Sequence, residues 1–323
     1  MDKPVLGIIG LGKMGGNLAL QAHDKGYKVI GHDRSINKEL EKKGIEQVVT
    51  LDDFVQKLSL PRIIFIYIPS GNAVDTLLSQ LSVLVSIGDL LIDGGNSYWG
   101  DSINRSTRLK EKGIYFIDCG TSGGVDGARN GACFMAGGDA EAMKLLSPVL
   151  KDLAFENGFI HTGPCGSGHF VKLVHNGIEF GMLQAIGEGM DLLSHYRSDL
   201  DMAGILEVWN HGSVIRSWLV ELMGKAYRGN NGFESIPSYI EDTGEVNWLI
   251  NDALRMEVPV PIIAQSVMQL FSSRDSRRIS DKAIAMMRHG FGGHPFGTDK
   301  GIQQERKLGK TENEETGFLY EKQ

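Results

Sequence analysis

A stripe of polar side chains interrupts an otherwise apolar segment between residues 166 and 179. Its members are Lys172, His175, Asn176 and Glu179, at positions i, i+3, i+4 and i+7. On an α-helix this spacing puts the four side chains on one face. A lysine in a partly desolvated pocket can be neutral near pH 7 and act as a base, and a protonated glutamate can return a proton. The stripe therefore predicts proton-transfer chemistry, with Lys172 as the base and Glu179 as the acid.

A solvated helix face is the alternative interpretation of this stripe. Solvated faces usually carry long flexible charges, whereas this one carries His175 and Asn176, followed by Gly177. A glycine inside a helix costs about 1 kcal/mol of helix propensity relative to alanine. Close approach by a ligand or a neighbouring backbone would explain that glycine. We therefore interpret the stripe as a site.

A second motif, G-x-G-x-x-G, lies near the N-terminus. It is formed by Gly10, Leu11, Gly12, Lys13, Met14 and Gly15. It follows a predicted strand and opens a predicted helix, as in a dinucleotide-binding βαβ unit, where the glycines allow a tight turn, approach of a pyrophosphate and close helix packing. The helix N-terminus adds free N–H groups and a positive dipole end for the phosphates.

The choice of cofactor is predicted by Asp33, which ends the second predicted strand. Its carboxylate can accept hydrogen bonds from the adenosine ribose and would repel a 2′-phosphate, so NAD is favoured over NADP. Arg34 keeps NADP open, because an arginine there can hold that phosphate. The segment Ile68-Pro69-Ser70 closes another strand at the edge where ligands of such sheets lie. With a nicotinamide bound, Lys172 would take the hydroxyl proton while hydride leaves the same substrate carbon.

Three glycine-rich segments follow or accompany later predicted strands. They span residues 93–97, 121–128 and 135–138 and include Asn96, Ser122, Gly123 and Gly124. Glycine pairs beside serine or asparagine expose backbone N–H groups, which suit the anchoring of hydroxyls or a carboxylate. Tight turns at strand ends are the alternative explanation.

Strand and helix patterns alternate in the first half of the chain and predict a Rossmann-type, doubly wound α/β domain with a parallel sheet. Strands are expected at 4–9, 27–31, 63–68, 90–93 and 115–118, with a helix at 15–25. Helices are then expected at 168–196, 199–212, 213–225, 236–256, 262–273 and 279–288. We predict an NAD-binding domain over 1–163, an all-α substrate and dimerisation domain over 164–289, and a tail over 290–323.

Composition excludes several classes of protein. The chain has 323 residues, of which 42 are glycine, and a formal net charge of −7. That charge opposes nucleic-acid binding by bulk attraction, and no apolar run approaches the ~20 residues that span a bilayer. The N-terminal segment lacks the layout of a signal peptide, so a cytoplasmic location is expected. Three cysteines without C-x-x-C spacing indicate reduced thiols and no metal site.

Several motifs resemble the β-hydroxyacid dehydrogenase superfamily and, within it, the short-form decarboxylating 6-phosphogluconate dehydrogenases. They are GLGKMGGNLAL, DGGNS, CGTSGGVDGARNG, FMAGGD, GSGHFVKLVHNGIE and the segment RHGFGGH at 288–294. The resemblance covers nearly the whole chain. The run K-x-x-H-N-G-I-E and the motif R-x-x-F-G-G-H are specific to this branch, whereas relatives acting on 3-hydroxyisobutyrate keep the lysine and lack the glutamate.

The resemblance implies oxidative decarboxylation of 6-phosphogluconate to ribulose 5-phosphate and CO2, a step of the pentose phosphate pathway. Lys172 would be the base for the C3 hydroxyl, and Glu179 would protonate C1 of the enediol. Substrate contacts are implied for Asn96, Ser122, Gly123, Gly124, His175 and Asn176. Arg288 and His294 match a pair that reaches into a neighbouring subunit's site, which implies a homodimer or higher homo-oligomer.

The sequence departs from the family at three positions that contact the substrate phosphate in long-form enzymes. Phe180 stands where a tyrosine is usual, and Asn247 and Gln269 align with a lysine and an arginine. Arg288 remains, and three nearby arginines at 274, 277 and 278 could compensate. A solvated basic face is the alternative explanation of that cluster. The NADP enzymes of the family carry Asn where this chain has Asp33.

Two other functions stay open on the sequence alone. One is a non-decarboxylating dehydrogenase of another small 3-hydroxy acid, which product analysis would separate. The other is a nucleotide-binding scaffold without turnover, which would need neither Lys172 nor Glu179.

Overall fold

Eight strands form one sheet within residues 3–308, which the computed structural model describes. The strands are β1 Leu6–Ile9, β2 Val29–His32, β3 Glu46–Val48, β4 Ile63–Ile66, β5 Leu90–Asp93, β6 Tyr115–Ser122, β7 Ala132–Gly137 and β8 Ala154–Gly163. Their order in the sheet is β3-β2-β1-β4-β5-β6-β7-β8. Every residue of β1, β4 and β5 is buried, as expected for strands covered on both faces.

Helices cover the sheet in the first part of the chain. They are α1 Lys13–Asp24, α2 Lys38–Lys42, α3 Leu51–Gln56, α4 Asn72–Leu81, α5 Trp99–Lys110, α6 Gly124–Asn130 and α7 Ala140–Leu153. Successive strand residues alternate between two apolar clusters: Phe65 packs in one, and Ile64 and Ile66 in the other. The predicted doubly wound α/β fold is therefore confirmed.

The sheet departs from the predicted parallel arrangement at β7, which runs antiparallel to β6. The connection between them consists of residues 123–131 and contains only the short helix α6. A parallel crossover needs about a dozen residues or more, so this connection returns the chain in the opposite direction. β8 is then parallel to β7.

Beyond β8 the regular structure described up to residue 308 consists of helices, which confirms the predicted all-α region. The helices are α8 Ser167–Ser194, α9 Met202–Asn210, α10 Trp218–Asn230, α11 Glu245–Arg255, α12 Pro261–Arg274, α13 Ile279–Gly292 and α14 Lys300–Leu308. The predicted helix over 236–256 was wrong before Glu245. Gly244 lies in the left-handed region at φ +79° and is the N-cap of α11, and turns and bends occupy about half of the residues between α10 and that point. Most of the predicted tail is described up to residue 308, and residues 309–323 lie outside the described residues.

The residues of the structure form two compact units, each with more contacts inside it than to the other. One contains the residues up to Ile178 together with Gly244–Val258, and the other contains Glu179–Thr243 and the residues from Pro259 onward. The first unit thus includes the start of α8 and the whole of α11. The predicted domain bounds at 163 and 289 stay a prediction. Within residues 3–308, no helix is long and apolar enough to cross a membrane.

Candidate active site

The glycine motif after β1 forms a turn in which only glycine fits at two positions. Gly10 has φ +87°, and a Cβ there would lie 2.2 Å from the Tyr67 carbonyl oxygen. A Cβ on Gly15 would lie 2.0 Å from the Gly10 oxygen. Gly12 differs, because a Cβ there would meet nothing within 4 Å. The first and third glycines therefore serve the fold, and the second leaves open space where a phosphate can approach the start of α1.

Asp33 follows β2 and is tied directly to this turn. Its Oδ2 accepts a hydrogen bond from the Leu11 backbone N–H at 2.8 Å, and its Oδ1 accepts one from the Arg34 N–H at 2.7 Å. A carboxylate has about four acceptor positions, so both oxygens can accept further bonds. The Asp33 side chain is half-buried and Arg34 is exposed. This arrangement fits a dinucleotide whose ribose lies beside Asp33.

The loop after β4 carries the predicted cofactor residues Ile68, Pro69 and Ser70, of which the last two are exposed. Tyr67, just before them, shares a hydrogen bond of 3.1 Å between its hydroxyl and Thr121 Oγ1 on β6. Burial raises the pKa of the Tyr67 hydroxyl, so it stays protonated. The tyrosine thereby joins the ends of two strands that are separated by β5 in the sheet.

A buried arginine that the sequence analysis did not identify joins two of these loops. Arg105 on α5 is 1% exposed. Its Nη2 donates to the Gly71 carbonyl at 3.1 Å and to the Asp75 carboxylate at 2.9 Å, and its Nη1 lies 3.6 Å from Asp93 Oδ2. The Arg105 hydrogen bond, with a smaller contribution from Arg108, lowers the pKa of Asp75. Arg105 therefore holds the loop after β4 against the end of β5.

Asp93 in turn shapes the loop that carries Asn96. Its Oδ1 accepts from the Gly95 N–H at 3.0 Å, and its Oδ2 accepts from the Ser97 hydroxyl at 2.7 Å. Asn96 lies between these two anchored residues, and its side chain is exposed. Asp93 thus fixes the two residues that flank Asn96, and the exposed Asn96 side chain is accessible to a ligand.

The start of α8 is fixed by a buried carboxylate on β6. Asp118 is fully buried, and its two oxygens accept from the N–H groups of Gly166 and His169, both at 2.7 Å. A negative charge at a helix N-terminus is stabilised by the helix dipole and by these unsatisfied N–H groups. His169 is also buried, with Nδ1 2.8 Å from the Ser102 hydroxyl. The sheet therefore determines where α8 begins, and with it the place of Lys172 one turn later.

Glycine lets α8 lie directly against the sheet. A Cβ on Gly120 of β6 would lie 2.4 Å from the Cβ of Lys172. A Cβ on Gly168 of α8 would lie 2.4 Å from the Asp118 carbonyl oxygen. A larger residue at either position would push the helix away from β6.

Three residues of the predicted stripe form a hydrogen-bonded cluster with Ser122. Lys172 Nζ donates to Asn176 Oδ1 at 2.5 Å and lies 3.4 Å from His175 Nδ1. His175 Nε2 lies 3.0 Å from Ser122 Oγ at the end of β6. Asn176 is 5% exposed, whereas Lys172 and His175 are half-buried. The structure thus brings together four of the predicted site residues.

Two residues beside this cluster were missed by the sequence analysis. Cys133 pairs with Ser122 across β6 and β7. Burial raises the pKa of its thiol, and the charge of Lys172 partly offsets that rise. Glu245, the first residue of α11, accepts from Asn176 Nδ2 at 3.4 Å. No local sequence signal marked either residue, because each meets the cluster only through the tertiary fold.

The remaining predicted site residues are described within their own elements. Gly123, at φ +110°, and Gly124 form the turn from β6 into α6. Glu179 lies on α8 two turns after Lys172, on the same helix face. Arg288 is exposed on α13, and His294 follows that helix in the second unit. The roles predicted for these residues stay predictions.

Family comparisons agree over both halves of the chain. Residues 5–163 match the family described as the NAD binding domain of 6-phosphogluconate dehydrogenase, and residues 168–307 match the 6-phosphogluconate dehydrogenase C-terminal domain. The first match identifies an NAD(P)-binding domain.

Individual proteins show the same likeness. The chain is 43% identical to YqeC of Bacillus subtilis, whose name as a 6-phosphogluconate dehydrogenase is provisional, over 90% of this chain and 98% of that protein. It is 38% identical to the NAD(+)-dependent, decarboxylating 6-phosphogluconate dehydrogenase of Haloferax volcanii, over 90% and 97%. The solved 6-phosphogluconate dehydrogenase of Plasmodium falciparum superposes with a TM-score of 0.78 at 27% identity, over 91% of this chain and 66% of that one. The chain therefore belongs to the 6-phosphogluconate dehydrogenase family.

Proposed function

We propose that this protein oxidises and decarboxylates 6-phosphogluconate, giving ribulose 5-phosphate and CO2 with reduction of NAD. The observation that carries the proposal is the cluster of Lys172, His175, Asn176 and Ser122 at the carboxyl end of β6. It provides an amine base held by an amide and an imidazole, at the sheet edge where ligands of doubly wound folds bind.

In the proposed reaction Lys172 acts first as a base. Its neutral amine takes the proton from the C3 hydroxyl of the substrate. A bound nicotinamide supplies the hydride acceptor. The protonated Lys172 then donates a hydrogen bond to the new ketone oxygen, which draws electrons from the breaking C–C bond as CO2 leaves. Asn176 Oδ1 accepts from the lysine in the structure and so limits where the Nζ atom can lie.

Glu179 completes the proposed reaction. It protonates C1 of the enediol that remains after loss of CO2. Its place on α8, two turns after Lys172 and on the same helix face, supports this division into base and acid. Asn96, Ser122 and His175, with the N–H groups of Gly123 and Gly124, are proposed to anchor the sugar-acid hydroxyls and carboxylate.

NAD is the proposed cofactor, bound by residues 1–163. The support is Asp33, which is held beside the glycine turn by the Leu11 N–H and has acceptor capacity left for a ribose. A 2′-phosphate there would face a carboxylate. Among the relatives, the Haloferax enzyme is NAD(+)-dependent and the Plasmodium enzyme has NADP+ as its cofactor, so the NAD/NADP ratio of kcat/KM tests the choice.

A homo-oligomer is part of the proposal, with Arg288 and His294 completing a neighbouring site. No residue of α13 is buried within the described chain, although the helix carries Ile284, Met286, Met287 and Phe291. Exposed apolar surface of this kind is typical of a protein interface.

A cytoplasmic location is also proposed, since all three cysteines are free thiols.

The test follows NADH formation and CO2 release with 6-phosphogluconate. Turnover should yield one CO2 per NADH and ribulose 5-phosphate as the product. Unphosphorylated gluconate is the matched substrate control, because Phe180, Asn247 and Gln269 replace phosphate-contacting residues of the long-form enzymes. No turnover with either NAD or NADP would sink the proposal, and NADH without CO2 would favour a non-decarboxylating dehydrogenase.

A further inference from the structure

One buried carboxylate beside the cluster has no part in the mechanism above. Glu245 is 9% exposed, and its Oε1 accepts from Asn176 Nδ2 at 3.4 Å. Burial of a charged group is costly unless that group is hydrogen-bonded or paired. A glutamate kept at this position therefore needs a reason beyond surface solubility.

Features at both ends of helix α11 determine the position of Glu245. At its start, Gly244 adopts φ +79°, and the Glu245 carboxylate lies in the first turn, where the helix dipole favours a negative charge. Towards its end, Asp252 accepts from the Tyr98 hydroxyl at 2.8 Å and from Trp99 Nε1 at 2.7 Å. These contacts fasten α11 to the start of α5 and so limit where Glu245 can lie relative to Asn176.

The amide of Asn176 has two chemically different ends, and its neighbours use both. Its Oδ1 accepts from Lys172 Nζ, and its Nδ2 donates to Glu245. A protonated lysine can only donate and a carboxylate can only accept, so the two neighbours select the same orientation of the amide. A flipped amide would put its N–H groups against the ammonium and its oxygen against the carboxylate.

The orientation matters most when Lys172 is neutral. A neutral amine has one lone pair, and a flipped Asn176 could donate an N–H to it. That lone pair is the one that must take the proton from the substrate hydroxyl. A carboxylate on the far side of the amide opposes the flip in both protonation states of the lysine.

We propose that Glu245 is a positioning residue that keeps Asn176 as a hydrogen-bond acceptor toward Lys172, so that the amide does not donate a hydrogen bond to the lysine lone pair. The inference rests on the proposed function, in which Lys172 is the base. Glu245 acts through Asn176 and does not touch the substrate.

Two conservative variants separate donor chemistry from reach. Glu245→Gln introduces an N–H group from which a flipped Asn176 oxygen could accept, so the flip is no longer opposed and kcat should fall about tenfold with the KM for NAD unchanged. That fall corresponds to a rise of about 1.4 kcal/mol in the barrier. Glu245→Asp keeps an acceptor-only carboxylate that is one methylene shorter, and should lower kcat less than Glu245→Gln. The deuterium isotope effect on kcat with 3-deuterated 6-phosphogluconate should rise in Glu245→Gln, because the hydride step slows. A Gln variant with wild-type kcat would overturn the proposal.

A double-mutant cycle tests whether Glu245 acts through Asn176. Glu245→Ala should lower kcat about tenfold in the wild-type protein and less than twofold in the Asn176→Ala background. Equal losses in both backgrounds would overturn the inference. Asp252→Asn is the matched control on α11, because it weakens docking of the helix without touching Asn176. Its effect on kcat should be smaller than that of Glu245→Ala, and an equal effect would assign the loss to helix docking and contradict the inference.

Failure of this inference differs from failure of the proposed function. Absence of turnover in the wild-type protein sinks the proposed function. Wild-type turnover with unchanged kcat in Glu245→Gln and Glu245→Ala contradicts only the inference about Glu245.

Discussion

Glycine has different roles on the two sides of the proposed site. The nucleotide side is the turn after β1, and the catalytic side is where α8 packs against β6. At Gly12, in the turn after β1, a Cβ would meet nothing within 4 Å. At Gly120 on β6, a Cβ would lie 2.4 Å from the Cβ of Lys172. The first glycine leaves open space beside the start of α1, where a ligand is proposed to bind, and the second makes room for the protein's own helix. A high glycine content can therefore reflect binding in one place and close packing in another.

The two sides also differ in how far apart their residues lie in the chain. The turn after β1 holds Asp33 through the N–H of Leu11, 22 residues away. The cluster on α8 is held by Ser122, by Asp118 and by Glu245, from strand β6 and from helix α11. The nucleotide side is thus formed by residues that are close in the chain, and the catalytic side is assembled from distant segments.

The largest effect is expected from a variant that changes the catalytic side alone. Lys172→Met removes the proposed base while keeping a side chain of similar length. General-base catalysis contributes about 10²- to 10⁴-fold, so kcat should fall by at least about 10²-fold. The KM for NAD should stay within about twofold, since the turn after β1 is untouched. Steady-state kinetics check this, and full activity in the variant would refute the assignment.

A comparable change on the nucleotide side should alter cofactor choice. Asp33→Asn removes the charge that opposes a 2′-phosphate, so the NAD/NADP ratio of kcat/KM should fall by about tenfold or more. The kcat with saturating NAD should change little, because Lys172 is unaffected. An unchanged ratio would count against the proposed ribose contact.

Two alanine substitutions test the contrast between the glycines directly. Gly12→Ala has open space and an ordinary φ of −70°, so Tm should be unchanged while the KM for NAD rises about tenfold. Gly120→Ala must displace α8, and overpacking costs about 1–3 kcal/mol, so both Tm and kcat should fall.

Gly187→Ala is the matched control for these glycines. Gly187 lies inside α8, and a Cβ there would meet nothing within 4 Å. Replacing a helical glycine with alanine should raise stability by about 0.5–1 kcal/mol. If Gly120→Ala behaved like this control in thermal unfolding and kinetics, close packing against Lys172 would not explain that glycine.

The smallest effect concerns the loops that Arg105 joins. The pKa of Asp75 is lowered below 3.8 by its hydrogen bond to Arg105 and by Arg108. A depressed carboxyl pKa gives stability above the unfolded pKa, which is lost as pH falls through the folded pKa. Asp75→Asn should therefore flatten the fall of Tm as the pH decreases below the unfolded pKa of an aspartate. An identical pH profile in variant and wild type would contradict this.

The elements that the sequence predicted best are those determined by local pattern. The apolar run at 90–93 is the strand Leu90–Asp93, and the pattern at 168–196 is the helix Ser167–Ser194. The antiparallel step at β7 and the late start of α11 were missed. The direction of β7 depends on the short connection before it, and the start of α11 depends on Gly244. Hydrophobic periodicity carries little information at either place.

The amino-acid sequence by itself predicted the features on which the proposed chemistry rests: the glycine turn, the acidic residue after β2, and four polar residues on one face of a helix. These signals are periodic or close in the chain, so local geometry is enough to interpret them. Only the tertiary structure decided that Arg105 joins two loops, that Asp118 fixes the start of α8 and that Glu245 meets Asn176. Those contacts join residues 34 to 69 positions apart, and burial of their charges is stable only once the fold supplies the partners.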